Sequence, residues 1–349
     1  MNSFDRYNAE ELIRYASTRL EEVGLGAVRS RVIAETLVEG DLMGHNTHGI
    51  KLLIPYIEQL QEGKMRTIGE PEVIYDSGST LTWDGQYLPG PWLVHEAIDE
   101  ALSRIQEQPV MTLTISKSHH IGCLAAYPQR ATREGLMMLL ACSDPRNRSV
   151  APFGGVHGAY SPNPIAGGIP TNGDPVIFDL SSSETAVGRV MEARDKGIKL
   201  PYPWLHDPKG NTTNDPVTFF KDPPSTILPL GGPDTGHKGF ALGLLVEALT
   251  NGLSGHGRKD EPDRWGASVF LQIIDPDAFG GKKSMLEEIS CLAERCYNSP
   301  SIEEQKVRLP GSRALNLKDE QMKNGVKIEK RVSEEIRNQL SGQFPQPLN

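Results

Sequence analysis

A chain of 349 residues, 38% hydrophobic and 23% charged, has room for about two domains and a sizeable core and the make-up of a soluble globular protein. A formal net charge of -9 with no basic run argues against a nucleic-acid partner. No stretch of about 20 apolar residues occurs, the start MNSFDRYNAEEL has no apolar signal core, and Cys123, Cys142, Cys291 and Cys296 show neither CxxC nor paired spacing; the expectation is a reduced, cytoplasmic protein with no membrane partner.

Asn8 followed by Glu11 is a capping-box pattern, and it predicts a helix through Leu12, Ile13, Tyr15 and Leu20 that stops at Gly24 and Gly26. A second helix is expected over 27–43, with Val32, Ile33, Leu37 and Leu42 on one face. The intervening GLGAVR fails as a dinucleotide loop, because no strand precedes it and Arg29 stands where a last glycine is required. Gly44 interrupts the second helix and the helical period resumes over 52–60. Thr47-His48-Gly49 then lies at the mouth of a third helix, where the hydroxyl can orient the imidazole or serve only as a cap.

Short β-like pieces fall within 71–83, and a helix over 91–106. Two apolar runs, 110–116 and 136–142, read as buried strands. Ala125, Ala126, Ala131 and Gly135 between them look like the small side of a helix on a sheet. His119, His120, Ser143 and Asp144 then stand at strand–loop junctions, where a rigid sheet fixes side chains beside an open loop. A His and an Asp so placed suit an acid–base couple; a surface His and a helix-capping Asp give the same letters.

Residues 146–174 hold too much Gly, Pro and Asn for helix and suit loops that approach a ligand closely. A strand over 175–180 ends at Asp179, with Ser181–Ser183 before a helix over 184–196; a helix start there favours phosphate. Gly210-Asn211 marks a hairpin. A glycine-rich loop from 227 leads to a long apolar helix over 238–253. His237 and Lys238 sit at its start, where a Lys opposes the helix dipole and suits an anionic ligand. A strand over 268–274, a helix over 285–297, a turn at 309–314 and a polar amphipathic helix over 327–339 complete the chain.

Several chemistries lack their signatures. There is no HExxH, and the adjacent His119 and His120 point in different directions, so no dedicated metal site is expected. GxSxG, a Walker A motif and GxGxxG are all absent.

Taken together, the stretches resemble the type-2 malate/L-lactate dehydrogenase family, which also contains ureidoglycolate and sulfolactate dehydrogenases and cyclic-imine reductases. Thr47-His48-Gly49 resembles its Ser-His-Gly segment, and Ser118-His119-His120-Ile121-Gly122 its S-x-H-F-G segment. Ser143-Asp144-Pro145 followed by Ala151-Pro152-Phe153-Gly154-Gly155 resembles S-D-P…V-P-F-G-G. Asn163-Pro164, Phe178-Asp179-Leu180-Ser181, Gly236-His237-Lys238-Gly239 and Leu309-Pro310-Gly311 follow in the family's order.

The resemblance implies an α/β fold that is not a Rossmann domain. A cofactor domain on a large mixed, mainly antiparallel sheet (71–299) would join a helical domain built from both chain ends (1–70 and 300–349). It implies an NAD(P)-dependent oxidoreductase, a homodimer, that moves a hydride between NAD or NADP and a small polar molecule of the 2-hydroxy/2-oxo acid type or a relative. By the same resemblance His120 is the acid–base residue and Asp144 the carboxylate near it, while Thr47 and His48 face the substrate. Ser143, Asp179, Leu180, Ser181, His237, Lys238 and Gly311 fall at cofactor contacts. One position departs: Leu52 stands where the family commonly has an Arg that grips the substrate carboxylate, and Lys51 beside it is not an equivalent fork. That departure motivates an alternative, a catalytically altered cofactor-binding protein on the same scaffold.

Overall fold

A computed structural model describes residues 4–302 and 305–348. The chain opens with a short strand, β1 (Phe4–Tyr7), then α1 (Ala9–Glu22) and α2 (Ala27–Leu42). Asn8 caps α1, its Oδ1 accepting the Glu11 N–H at 3.1 Å. Leu12, Tyr15, Ala16 and Leu20 then bury one face of α1, the spacing that a helix of 3.6 residues per turn lines up. A 3-10 turn at Asn46–His48 carries Thr47 and His48, and α3 (Leu53–Gln61) follows.

Strands β2 (Glu72–Asp76) and β3 (Thr80–Asp84) form a hairpin, and α4 (Gly90–Arg104) leads to β4 (Val110–Ser118). The helix expected after β4 is reduced to a 3-10 turn, Leu124–Ala126, and the single turn α5 (Gln129–Thr132). Pro128 lies between them; it lacks an N–H and restrains the residue before it, so the two pieces stay separate. Next come β5 (Met137–Ser143), β6 (Pro164–Ile169) and β7 (Val176–Ser181). The following helix, α6 (Val187–Asp195), starts later than its sequence suggests, because Ser183 is still extended and bridges Pro229.

A small sheet, order β10-β8-β9, is made by β8 (Leu205–His206), β9 (Thr212–Thr213) and β10 (Thr226–Ile227). The turn α7 (Gly232–Thr235) runs into α8 (His237–Glu247), which passes through a π-helical turn at Ala248–Gly252. Then come β11 (Ala267–Ile274), α9 (Lys282–Tyr297), α10 (Ser312–Asn324), β12 (Val326–Glu329) and α11 (Lys330–Gln339). The turn expected around Gly311 is instead the entry to α10. Gly311 takes φ 89°, a left-handed conformation that glycine adopts without steric cost.

The main sheet has seven strands in the order β2-β3-β4-β11-β5-β6-β7. Only β3 and β4 run parallel; the other pairs are antiparallel. This is the mixed, mainly antiparallel sheet the resemblance implied, and not a doubly wound parallel one. Its core joins Leu113, Ile115, Leu140, Val269 and Leu271 to Trp92, Leu93 and Ile98 of α4. A second core packs the N-terminal helices against Val326, Ile328, Ile336 and Phe344 from the C-terminal end, and β1 pairs with β12. A third, smaller core gathers Val150, Tyr160, Val190, Leu205 and Ile227 around α6 and the small sheet.

Candidate active site

Strand register collects the candidate residues. Ser118 at the end of β4 pairs with Ala267 at the start of β11, and Ser143 at the end of β5 pairs with Ser268. Pro164 at the start of β6 pairs with Ser181 at the end of β7. In an antiparallel sheet such partners share one end of the strands. His119-His120, Trp265, Ser143-Asp144, Asn163 and Asp179–Ser181 therefore lie along one end of the sheet, and α3 of the helical layer covers the β4 part of it.

At that place His120 is enclosed by other rings. Tyr56 of α3 sets its hydroxyl 2.8 Å from His120 Nδ1 and 3.1 Å from the His120 carbonyl oxygen. His48 lies face to face with His120, ring centroids 5.7 Å apart at 21°. Trp265 covers it at 4.6 Å and 30° and meets His119 edge-on at 5.0 Å. His119 is fully buried, and neither of its ring nitrogens has a hydrogen-bond partner among the described residues. Burial drives its pKa down to about 3, so it is a neutral wall. His120 is held well below the ordinary value, first by burial and then by the neighbouring His48 and His119. Burial also lowers His48, partly opposed by the negative Asp179. Both rings are neutral at pH 7, the state in which an imidazole accepts a proton.

Thr47 Oγ1 lies 3.0 Å from His48 Nδ1, so the hydroxyl orients the ring as well as sitting at a helix mouth. The turn that carries the pair is fixed from below by Asp41. Its carboxyl accepts the Ile50 N–H at 2.6 Å, and Gly49 passes so close that a Cβ there would lie 2.1 Å from Asp41 Oδ1. Burial raises the Asp41 pKa to about 8, although the Ile50 N–H pulls the other way. Leu52 closes the 3-10 turn (Ile50–Leu52) that leads into α3, and packs half-buried against the N-terminal core. Lys51 lines a crevice with Asp41, Thr47, Glu192, Asp195 and Arg331.

Asp144 does not hydrogen-bond His120. Its Oδ1 accepts the Arg146 N–H at 2.9 Å within its own loop. Burial nevertheless raises its pKa to about 6, against the pull of those loop N–H groups and of Arg258. Arg258 and Glu247, neither of which the sequence singled out, hold this corner together. They pair at 2.6 Å, and Glu247 also accepts from Ser143 Oγ and from Asn163 Nδ2, each at 2.8 Å. Arg258 donates to the carbonyls of Asp144, Pro145 and Asn147. Burial pushes the Glu247 carboxyl up, but the Arg258 guanidinium prevails and holds it below the usual range.

The remaining candidates form a second group. Asp179 accepts the Ala125 N–H at 3.0 Å, Leu180 is exposed, and Ser181 Oγ donates to the Ser183 carbonyl. The next residues pair with the loop that enters α8: Leu230 N–H donates to Ser182, and Glu184 N–H to Leu228. The end of β7 and the exposed His237 and Lys238 are thereby linked through one strip of backbone. A helix start of eleven residues with an exposed cation fits the phosphates of a dinucleotide. Gly311 lies elsewhere, against β7, where a Cβ would meet the Ile177 carbonyl oxygen at 2.7 Å. Tyr56 and Trp265 were missed because their letters are ordinary core aromatics; Tyr56 carried only its helical spacing.

A seven-stranded mixed sheet with an imidazole cluster at one end and a cation at a helix start defines an α/β enzyme scaffold outside the Rossmann class. The chain belongs to the malate/L-lactate dehydrogenase family, whose model matches residues 7–337. It is 30% identical to a (2R)-3-sulfolactate dehydrogenase (NADP(+)) of Chromohalobacter salexigens, over 92% of this chain and 94% of that one. Hydroxycarboxylate dehydrogenase B of Escherichia coli O157:H7 is 25% identical over 94% and 92%. Among solved structures, a delta1-piperideine-2-carboxylate reductase from Pseudomonas syringae pvar. tomato superposes with a TM-score of 0.83 at 25% identity, covering 96% of this chain and 99% of that one. The protein is therefore a dehydrogenase of small polar substrates and takes a nicotinamide cofactor. No described helix is long and apolar enough to cross a membrane.

Proposed function

We propose that the protein oxidises or reduces a 2-hydroxy/2-oxo acid or a related C–O or C–N centre, with His120 carrying the proton. The observation that supports this reading most is the Tyr56 hydroxyl, within reach of both His120 Nδ1 and the His120 carbonyl. When Tyr56 donates to the carbonyl, it accepts from Nδ1–H, and Nε2 is free to take a proton from an alcohol. The imidazolium so formed gives the same Nε2 proton back to an oxyanion in the reductive direction. His48, oriented by Thr47, lies beside the same ring and binds the reacting polar group. The hydride exchange itself is chemistry that a bound NAD or NADP supplies; the protein positions, protonates and excludes water.

In this proposal Lys238, His237 and the end of β7 at Asp179, Leu180 and Ser181 hold the cofactor, with Ser143 and Gly311 at its margins. Asp144 supports the site from the end of β5, one strand beyond β11. The working unit is a cytoplasmic homodimer, supported by the apolar face that α8 and its extension leave exposed at Leu244, Leu245 and Leu253, which a second copy would cover.

The test adds NADH or NADPH to the purified protein, follows fluorescence enhancement and Tm, then screens 2-oxo acids, 2-hydroxy acids and cyclic imines at 340 nm (a standard NAD(P)H absorbance wavelength, roughly chosen). Binding with turnover is expected. Binding without turnover of any class would support the catalytically altered alternative, and no response to either cofactor would overturn the proposal.

A further inference from the structure

His45, Cys123 and Asp179 come from three distant parts of the chain and belong to none of the roles above except that of Asp179. One donor atom from each lies within 4.8 Å of the other two. His45 is on the loop after α2, Cys123 follows β4, and Asp179 is on β7. Cys123 is a buried free thiol, with Sγ 3.9 Å from Asp179 Oδ2. Asp179 is already oriented by the Ala125 N–H. The His45 ring makes no hydrogen bond among the described residues. Imidazole nitrogen, thiol sulfur and carboxylate oxygen are thus presented to one point by three separately anchored segments.

We propose that these three side chains form a binding site for a thiophilic divalent cation, Zn2+. A mixed N, S, O set is what zinc takes, with a fourth position left for water. Ligand atoms around tetrahedral zinc lie about 3.5 Å apart, from bond lengths of ~2.0–2.3 Å. Closing the cluster therefore needs side-chain movement of about 1 Å and no change of fold. The thiol gives up its proton to solvent as the S–Zn bond forms. An ion there would tie the loop that carries Thr47 and His48 to the end of β7, beside the small apolar cluster of Met43, Cys123, Ala125 and Ile177. The cluster has no counterpart in sequence spacing, since His45 and Cys123 share no motif.

The experiment uses full-length protein with the exposed or half-exposed Cys291 and Cys296 both replaced by Ser, so that Cys123 and Cys142 are the remaining thiols. Adding Co2+ as a spectroscopic stand-in should produce a thiolate-to-cobalt absorption band that Zn2+ removes. Zn2+ should raise Tm by mass action. Cys123→Ser should abolish the band, and His45→Ala should weaken Zn2+ binding by about 100-fold or more, the upper end of the losses seen on disturbing metal sites. Cys142→Ser should leave the band unchanged, and His45→Asn provides a second, milder change if Cys123→Ser does not fold. Absence of a cobalt band in the parent protein, or a band that survives both His45 variants and Cys123→Ser, overturns the site. Cofactor binding measured in the same samples keeps this outcome separate from the oxidoreductase reading.

Discussion

Two corners of the same sheet end are built on opposite principles. Around His120 the partners are rings, one hydroxyl and the Gly122 N–H 3.3 Å from Nδ1, and the His119 ring has no hydrogen bond among the described residues. Around Ser143 the partners are ionic and numerous. Glu247 alone holds Ser143, Asn163, Asn251 and Arg258. An under-satisfied aromatic pocket keeps imidazoles neutral and open to a proton; a saturated ionic corner fixes backbone. In the proposed function the first carries the chemistry and the second is framework, because a charge that already has four partners has little left to offer a substrate.

The comparison breaks most visibly at Arg258. Arg258→Ala leaves Glu247 half-buried without its counter-ion and should cost on the order of 3 kcal/mol in chemical denaturation. Since Glu247 is held below its unfolded pKa, the stability it contributes is present at neutral pH and is lost as pH falls through the acid range. Arg258→Ala should therefore be least harmful in acid. If it is neutral at pH 7, the corner is not framework.

His120→Ala tests the other corner. It should lower kcat by ~10²-fold or more, the scale of a positioned acid–base group, with unchanged cofactor affinity. Tyr56→Phe should lower kcat about 10-fold with KM nearly constant, equivalent to ~1.4 kcal/mol. Wild-type kcat in His120→Ala at all pH values would transfer the role to His48.

Leu52→Arg sharpens the aromatic pocket. Leu52 sits four residues before Tyr56 at the entry to α3, and an Arg there is long enough to carry a fork toward the His120 region. It should raise kcat/KM for a small 2-oxo acid about 10-fold, one charged hydrogen bond being worth ~1.5–3 kcal/mol. Lys51→Ala, in the crevice that Lys51 shares with Thr47, Glu192 and Asp195, should leave acid turnover within about 2-fold, an ordinary surface-charge effect. Efficient wild-type use of simple acids that Lys51→Ala abolishes would show that Lys51 is the clamp.

Asp41→Asn should have the smallest effect. The folded carboxyl titrates near pH 8, and the unfolded one near ~4. The folded state binds the extra proton between those values, so the contribution of Asp41 to stability falls as pH rises across that window. The amide keeps an acceptor for Ile50 N–H and removes the titration. A stability profile between pH 5 and 8 that is no flatter than wild type's would contradict the buried acid.

Local signals carried much of this protein. The Asn8 cap, the apolar face of α1 and the runs that became β4, β5, β7 and β11 follow from helical and strand periodicity, which acts between near neighbours. Ordered motifs around His48, His120, Ser143, Asp179 and Lys238 carried the family and, through it, the non-Rossmann sheet. Pairing of β1 with β12, the α10 helix after Gly311 and the shortening of the segment around Pro128 were not legible, since each depends on what packs against it. Tertiary structure alone decided that Tyr56 bonds His120, that Trp265 covers it, that Arg258 and Glu247 anchor the Asp144 loop, and that His45, Cys123 and Asp179 meet. The reason is physical: those contacts join residues 56 to 104 positions apart in several cases, and no periodicity spans such distances, whereas strand register and burial do.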